Sequence, residues 1–257
     1  MNAPDAWDVN AAYWDAYMGD DGNEWHLRLI RPGVERLLGP VAGQRVLDVA
    51  CGNGLYARRL VELGAAHVTA TDVSEPMLEH ARRRSTGASA GIEYRRCDVT
   101  DGEALLALGH GVFDAVVCNM ALMDVPEIAP LAACLPSLLA ASGRFVFSIT
   151  HPCFNRLATR FVAEAEYEAG VLVSRHGVFM SRYLTAESGE GVAIHGQPAN
   201  QLYFDRPLSQ LLSPFFAAGL ALDGIEEPAF PEGEEADGPG WRTTPELPPF
   251  LVARLRR

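Results

Sequence analysis

Asp48, Gly52 and Gly54 fall within one short stretch, Val46-Leu47-Asp48-Val49-Ala50-Cys51-Gly52-Asn53-Gly54, and Asp72 closes the next apolar run, Val68-Thr69-Ala70-Thr71-Asp72. An apolar run entering a glycine turn, with an acid at the end of the following run, is how α/β proteins hold the nucleoside of a cofactor. The first strand delivers the chain to the ligand, the glycines admit close backbone approach, and the second acid accepts from the ribose hydroxyls. The dinucleotide pattern is absent: the third glycine is missing, and Asp48 stands where a pyrophosphate would be repelled and an ammonium group welcomed. These residues therefore suit a nucleoside cofactor that carries positive charge near the turn.

Proton-transfer groups are fewer. His151 follows a strand-like run, at the end of the sheet where ligands bind, and serves either as a base or as a ring bonded to the loop beside Pro152. His26 in the N-terminal section and His195 and His176 in a glycine-rich later section are the other candidates. Cys153 lies close to His151 but lacks an activating partner in the sequence.

The elements that must position these groups follow from hydrophobic periodicity. Residues 6–38 read as helices, with Trp7, Tyr13, Trp14 and Tyr17 as an aromatic set and a break at Gly19-Asp20-Asp21-Gly22-Asn23. From 45 to 150 strands and helices alternate: strands at 45–50, 67–71, 92–96, 113–118 and 144–149, helices at 54–63, 75–84, 101–108 and 127–139. Ser74 caps the helix at 75–84, Pro76 is tolerated in its first turn, and Pro136 bends the one at 127–139. This rhythm predicts an open, doubly wound, mostly parallel sheet with helices on both faces.

After Thr150 the rhythm changes. Residues 151–206 read as an insertion over the carboxyl edge of the sheet, with strands at 171–174 and 178–184. A helix at 208–218, a strand at 220–226, an acidic Pro/Gly loop from Pro228 to Pro249 and a last strand at 250–254 complete the chain. Glu232, Glu234, Glu235 and Asp237 make that loop a solvated excursion. One domain is expected: a cover (1–40), a cofactor-binding core (41–150), a substrate-side lid (151–206) and a closing segment (207–257).

The chain has 257 residues, 48% of them hydrophobic, and a formal net charge of −12, enough apolar content for one full core. The acidic balance disfavours a nucleic-acid backbone as partner. Arg82-Arg83-Arg84 and Arg95-Arg96 read as the solvated ends of a helix and a strand, and with Arg156, Arg160, Arg175 and Arg182 they are the residues an RNA-binding face would need. Five dispersed cysteines form no metal-binding or disulfide pattern. The opening Met1-Asn2-Ala3-Pro4-Asp5 is not a signal peptide, and no run reaches spanning length, so a cytoplasmic protein is expected.

In four pieces taken in order, the chain resembles the class I S-adenosylmethionine-dependent methyltransferases of the bacterial small-molecule type: Val46 to Gly54, Thr71-Asp72-Val73-Ser74, Cys97-Asp98-Val99, and Phe113 to Ala121. The resemblance implies a Rossmann-like seven-stranded sheet. It implies that Ala50, Cys51, Gly52 and Gly54 wrap the methionine part of S-adenosylmethionine, that Asp48 lies near its amino group, and that Asp72 binds the ribose. Val73 and Met77 would pack on the adenine, Asp98 and the Val99 amide would bind its edge, and Asn119 and Met120 would lie beside the methionine moiety.

The resemblance further implies methyl transfer to a small-molecule O, N or C acceptor by in-line displacement, leaving S-adenosylhomocysteine. The nucleic-acid branches are not matched: Asn119 is followed by Met-Ala-Leu rather than a proline-rich element. An RNA or protein methyltransferase and a non-catalytic nucleotide-binding protein remain the alternatives. Trp14, Tyr17, Trp25, Phe154, Phe179, Tyr183, Tyr203 and Phe204 predict an apolar, aromatic or cationic acceptor. Asp205, before Arg206-Pro207, either pairs locally or faces that acceptor. No metal is expected, and the protein is expected as a monomer or homodimer.

Overall fold

A computed structural model describes residues 3–234 and 238–257. Met1, Asn2, Glu235 and Asp237, on which parts of the terminus and loop expectations rest, lie outside the described residues.

Seven strands form one sheet in the order β10-β11-β5-β4-β1-β2-β3. They are β1 (Arg45–Val49), β2 (His67–Asp72), β3 (Glu93–Arg96), β4 (Phe113–Asn119), β5 (Leu139–Thr150), β10 (Ala221–Glu226) and β11 (Phe250–Arg256). Only β11 runs against its neighbours. Alternation along the strands feeds two cores. Leu47, Val116, Phe145 and Phe147 face one side, against α6 (Ala129–Leu138) and α7 (Leu208–Ala217), where Phe147 and Phe215 stack at 5.9 Å. Val46, Val68, Ala115 and Val146 face the other, against α2 (Arg31–Leu38), α3 (Leu55–Glu62) and α4 (Glu75–Arg84). The doubly wound, mostly parallel architecture is as the sequence predicts. Strand order reverses between β1 and β4, which opens a crevice at their carboxyl ends.

Three expectations are corrected. Strand β5 begins at Leu139 rather than 144: pairing jumps from Phe113–Leu139 to Ala115–Arg144, so Ser142-Gly143 is absorbed as a bulge instead of breaking the strand. In the insertion, β6 (Arg160–Glu168) and β7 (Val171–Phe179) form a hairpin around Ala169-Gly170, and the 178–184 strand does not exist beyond Phe179. Both turn residues have positive φ, 48° and 84°, the twist that suits a two-residue hairpin loop. A second hairpin pairs β8 (Glu187–Gly191) with β9 (Gln201–Asp205).

The acidic loop is no simple excursion either. Glu234 pairs with Arg28 and Arg242, both guanidinium groups lie over the Phe230 ring, and Phe230 is buried against Trp25. Glu232 stays exposed.

The N-terminal cover is α1 (Ala3–Met18), then a π-helical turn at His26–Ile30 that runs into α2. Asp15 on α1 accepts from Arg84 and His80 of α4, while the buried Asn10 exchanges two 2.9 Å hydrogen bonds with the Ala199 backbone. Burial alone would raise Asp15, but hydrogen bonds from Arg84, Asn53 and His80 hold it at about 2. No helix among the described residues is long and apolar enough to cross a membrane.

At the opposite edge, the buried Arg144 donates to the carbonyls of Leu38, Pro40 and Asp114 and to the Gln44 side chain, tying the β1 entry to β4 and β5. Arg144→Met leaves these acceptors without a partner. Urea unfolding should show a loss of about 2–4 kcal/mol; a midpoint unchanged from the parent would mean that the clamp contributes nothing.

Candidate active site

The carboxyl ends of β1, β2 and β4 open on a cavity of about 660 Å³, within the range of small-molecule sites. The turn after β1 brings Asp48, Ala50, Cys51 and Gly52 to its wall; β2 and α4 bring Asp72, Val73 and Met77. Asp98 and Val99 arrive after β3, Asn119 and Met120 after β4, and His26 from the π-helical turn. Of the cofactor-binding and proton-transfer candidates named from the sequence, Gly54, His151, Cys153, His176 and His195 are not on that wall.

Backbone geometry explains the glycines. Gly52 has φ of 54°, and a Cβ there would meet nothing within 4 Å, because the space beyond it is the cavity. Gly54 serves packing instead: a Cβ would come within 2.9 Å of Ala81 and closer still to the Tyr94 hydroxyl. Ala50 and Met120 are also left-handed, at φ 55° and 54°, the kind of strain that gathers where a chain must turn around a ligand. Ser148 steadies the second turn, accepting from the Met120 amide at 3.0 Å while donating to Asn119 Oδ1.

Asp72 is fixed by backbone: Oδ1 accepts from the Ser74 amide at 2.9 Å and Oδ2 from the Gly52 amide at 2.8 Å. Each oxygen keeps acceptor capacity for a ligand hydroxyl. Burial raises its pKa and these amides oppose the rise. Asp48 lacks such support. Neither of its oxygens accepts a hydrogen bond of normal geometry. Burial, then the Asp72 charge, pushes it up to about 8, with only the Ala57 amide at the start of α3 pulling back. Asp98 gives Oδ1 to the Thr100 amide and hydroxyl, both at 2.8 Å, so it caps its own turn as well as reaching the wall.

The histidines separate clearly. His26 is buried, and burial followed by the Arg31 charge lowers it to about 4, leaving a neutral ring with no hydrogen bond to either nitrogen among the described residues. His151 is buried in its own loop. Its Nδ1 accepts from the Cys153 amide at 3.0 Å, which places the proton on Nε2, 2.8 Å from Glu227. Burial lowers His151 and Glu227 opposes that. His195 and His176 are exposed, and the His195 carbonyl accepts from the Tyr13 hydroxyl at 2.6 Å.

Other candidates are occupied. Asp205 accepts from the Leu157 amide at 2.7 Å and lies 3.8 Å from Arg156. Arg206 donates only to backbone carbonyls, and Arg82, Arg84, Arg95, Arg175 and Arg182 are each paired with an acid.

Of the aromatic set, Trp14, Tyr17, Trp25 and Tyr203 reach the cavity; Phe154, Phe179, Tyr183 and Phe204 do not. Trp7, named within the N-terminal aromatic set, reaches it too, and Trp241, Phe250 and Asp124 do so without having been singled out. The signal for Trp7 was its place in the aromatic set of α1. Trp241 stood in an apparently solvated loop, and Asp124 lay too far past β4 for the matched motif. Trp14 Nε1 and Asp124 Oδ1 are buried without partners, as polar atoms awaiting a ligand would be.

Residues 46–143 match the family described as Methyltransferase domain. A ubiquinone biosynthesis O-methyltransferase from Xanthomonas axonopodis pv. citri is 36% identical over 167 residues, which take in 62% of this chain and 64% of that protein, so the chain spans under two thirds of such relatives. The crystal structure of an S-adenosylmethionine-dependent methyltransferase from Mesorhizobium loti superposes with a TM-score of 0.66 and 27% identity, covering 88% of this chain and 96% of that one. The CcbJ methyltransferase from Streptomyces caelestis shares the fold, with a TM-score of 0.63, 21% identity and 100% and 99% coverage. With its strand order and the Asp48–Asp72 arrangement, the chain has the fold of the class I S-adenosylmethionine-dependent methyltransferases and is similar to that family over residues 46–143.

Proposed function

We propose that the protein transfers a methyl group from S-adenosylmethionine to a small-molecule O, N or C acceptor. One observation carries this reading: Asp72, held by two amides, and the unpaired Asp48 face the same cavity from adjacent strands. The residues suit the cofactor chemically. Asp72 would accept from the ribose hydroxyls and Asp48 would meet the ammonium group. Val73 and Met77 would cover the adenine, with Asp98 and Val99 at its edge, while the open space beyond Gly52 would take the methionine part. Asn119 and Met120 would stand beside that part. S-adenosylmethionine supplies a methyl group on a sulfonium, whose departure needs no acid.

The protein's own task is then to orient the acceptor and exclude water, which accounts for several kcal/mol of catalysis. The aromatic wall and the cover formed by α1 suit that task. An apolar, aromatic or cationic acceptor fits rings and carboxyl groups better than an anion does. The similarity to ubiquinone biosynthesis O-methyltransferases supports a hydroxyl-bearing acceptor. We also propose that the two hairpins of 151–206 act with the rest of the chain as one domain. Among the histidines, His26 is the one on the cavity; His151 and His195 would contribute through their loops. Arg82, Arg84, Arg95, Arg175 and Arg182 are spent on acids, and Arg96 on the Val73 carbonyl, which weighs against RNA as the acceptor.

Two measurements test the reading. Calorimetric titration with S-adenosylhomocysteine should show binding, and Asp72→Ala should weaken it by roughly 2–4 kcal/mol; an unchanged affinity would remove Asp72 from the site.

The second concerns protons. Asp48 is raised on folding, so its stabilising contribution is intact below about pH 4 and is lost as the pH climbs to about 8. An ammonium group beside it favours the ionised form, so binding at pH 7 should release a proton. Binding enthalpies in phosphate and Tris should therefore differ, and Asp48→Asn should largely abolish the difference. Equal enthalpies in both buffers for the parent protein would place the ammonium elsewhere.

A further inference from the structure

The proposed cofactor accounts for Asp48, Asp72 and Asp98, and Asp205 is engaged by the Leu157 amide and Arg156, but one more carboxyl on the cavity is left over. Asp124 ends the short 3-10 turn Leu122–Asp124 after β4. It is 8% exposed, lines the cavity, and its Oδ1 is sealed from solvent without a hydrogen bond. Burial, reinforced by the Asp72 charge, pushes its carboxyl well above the usual carboxylate range. Its chain neighbours Leu122, Met123 and Val125 belong to the hydrophobic core, with Met120 and Tyr203 packed against them.

A buried carboxylate is ordinarily balanced by a cation. The guanidinium bound to this turn does not perform that service. Arg206 donates to the carbonyls of Leu122 at 3.2 Å, Val125 at 2.7 Å and Pro126 at 2.6 Å, and so brackets Asp124 through the backbone on both sides. Arg156, on the same wall, lies beside Asp205 and donates to the carbonyls of Tyr183 and Thr185. The turn is thereby rigid while its carboxyl stays unsatisfied. An apolar or amide side chain would fold there at lower cost, so a purely structural role leaves the acid unexplained.

We propose that Asp124 accepts the proton of the acceptor nucleophile, and that the acceptor accordingly bears an O–H or N–H at the atom to be methylated. The inference rests on the methyl-transfer reading above. As the proton moves from the acceptor to Asp124 Oδ1, the acceptor's lone pair forms the bond to the methyl carbon. The carbon–sulfur bond breaks with its pair remaining on sulfur, which becomes a neutral thioether. One carboxylate charge and one sulfonium charge disappear together, so the step leaves the net charge of the site unchanged and removes an ion pair from a desolvated cavity. The sulfonium also draws Asp124 toward its ionised form before transfer. An anionic acceptor would instead meet Asp48, Asp72 and Asp124 in one cavity.

Sinefungin, which carries an amine in place of the sulfonium methyl, reads this geometry without an acceptor. In calorimetry, the parent protein should bind sinefungin about tenfold more tightly than S-adenosylhomocysteine, as an ammonium near a desolvated carboxylate requires. Asp124→Asn should erase that preference and keep S-adenosylhomocysteine affinity within about twofold, since the substitution is isosteric and the product carries no charge at sulfur. Asp72→Ala should weaken both ligands alike. A preference that survives Asp124→Asn overturns the inference alone, whereas a parent protein that binds neither ligand overturns the methyl-transfer reading and this inference with it. With labelled S-adenosylmethionine and whichever simple phenol, catechol or aryl amine the parent methylates fastest, Asp124→Asn should lower kcat by on the order of 100-fold with little change in KM. A raised KM at unchanged kcat would overturn the proton-accepting role.

Discussion

Asp48, Asp72 and Asp124, each raised by burial, share one cavity whose wall also holds Asp98 and Asp205, with no free cation among the described residues to balance the three, and the rest of the site is arranged around that constraint. Of the three, only Asp72 is partly satisfied, by the Ser74 and Gly52 amides. The Asp72 charge adds to burial in raising both Asp48 and Asp124. The ligand-free site therefore holds protons where an exposed acid would not. On the proposed reading, a ligand with an ammonium, a sulfonium and two ribose hydroxyls would supply what Asp48, Asp72 and Asp124 lack. The electrostatic deficit is itself a form of specificity, since a dinucleotide pyrophosphate would deepen it.

Geometry makes the deficit useful. Strands β1 and β2 lie side by side in register, Val49 opposite Thr71, and the Cys51 amide continues the ladder onto the Thr71 carbonyl at 2.9 Å. That pairing sets Asp48 and Asp72 on one rim. The cover completes the enclosure with opposite chemistries on its two sides: Trp7, Trp14 and Tyr17 of α1 meet the cavity, while Asp15 reaches Arg84 and His80 on α4. With Asp15 held at about 2, the latch stays charged across the physiological range. Asn10 and Tyr13 tie the same helix to the segment between β8 and β9, so α1 spans core and insertion.

The core of this arrangement was legible because local physics and tertiary structure agree there. The runs at Val46, Val68 and Val116 are buried on both faces, and they read as central strands before any contact is known. Asp72 was legible because it ends such a run. What the sequence hid depended on partners distant in the chain. Glu187-Ser-Gly-Glu-Gly has little strand propensity and becomes β8 only by pairing with β9. Ala169-Gly170 lacks the usual Asn or Asp of a two-residue hairpin, so β6 went unread. Trp241 lay in an acidic loop that folds back because Arg28 and Arg242 clasp Phe230 and Glu234. His151 shows the converse: its position after β5 is where a base could stand, but the Cys153 amide and Glu227 occupy both ring nitrogens.

Parallel strands give the sheet a polarity that reconciles these costs with a stable fold. Carboxyl ends gather on one edge, and that edge carries the left-handed Ala50 and Met120, the unpaired Asp48 and Asp124, and the neutral, unbonded His26 ring. The amino edge carries the reverse, a buried Arg144 whose donors are spent on backbone carbonyls and one amide side chain. Between them lie close-packed rings, Phe145, Phe147 and Phe215, with centroids 5.4 to 5.9 Å apart. Strain and unsatisfied charge can persist on the functional edge because the other edge and the middle of the sheet over-determine the backbone that carries them. A substitution that relieved Asp48 or Asp124 would act on the first edge only, which is why gains in stability there and losses of ligand recognition have one physical cause.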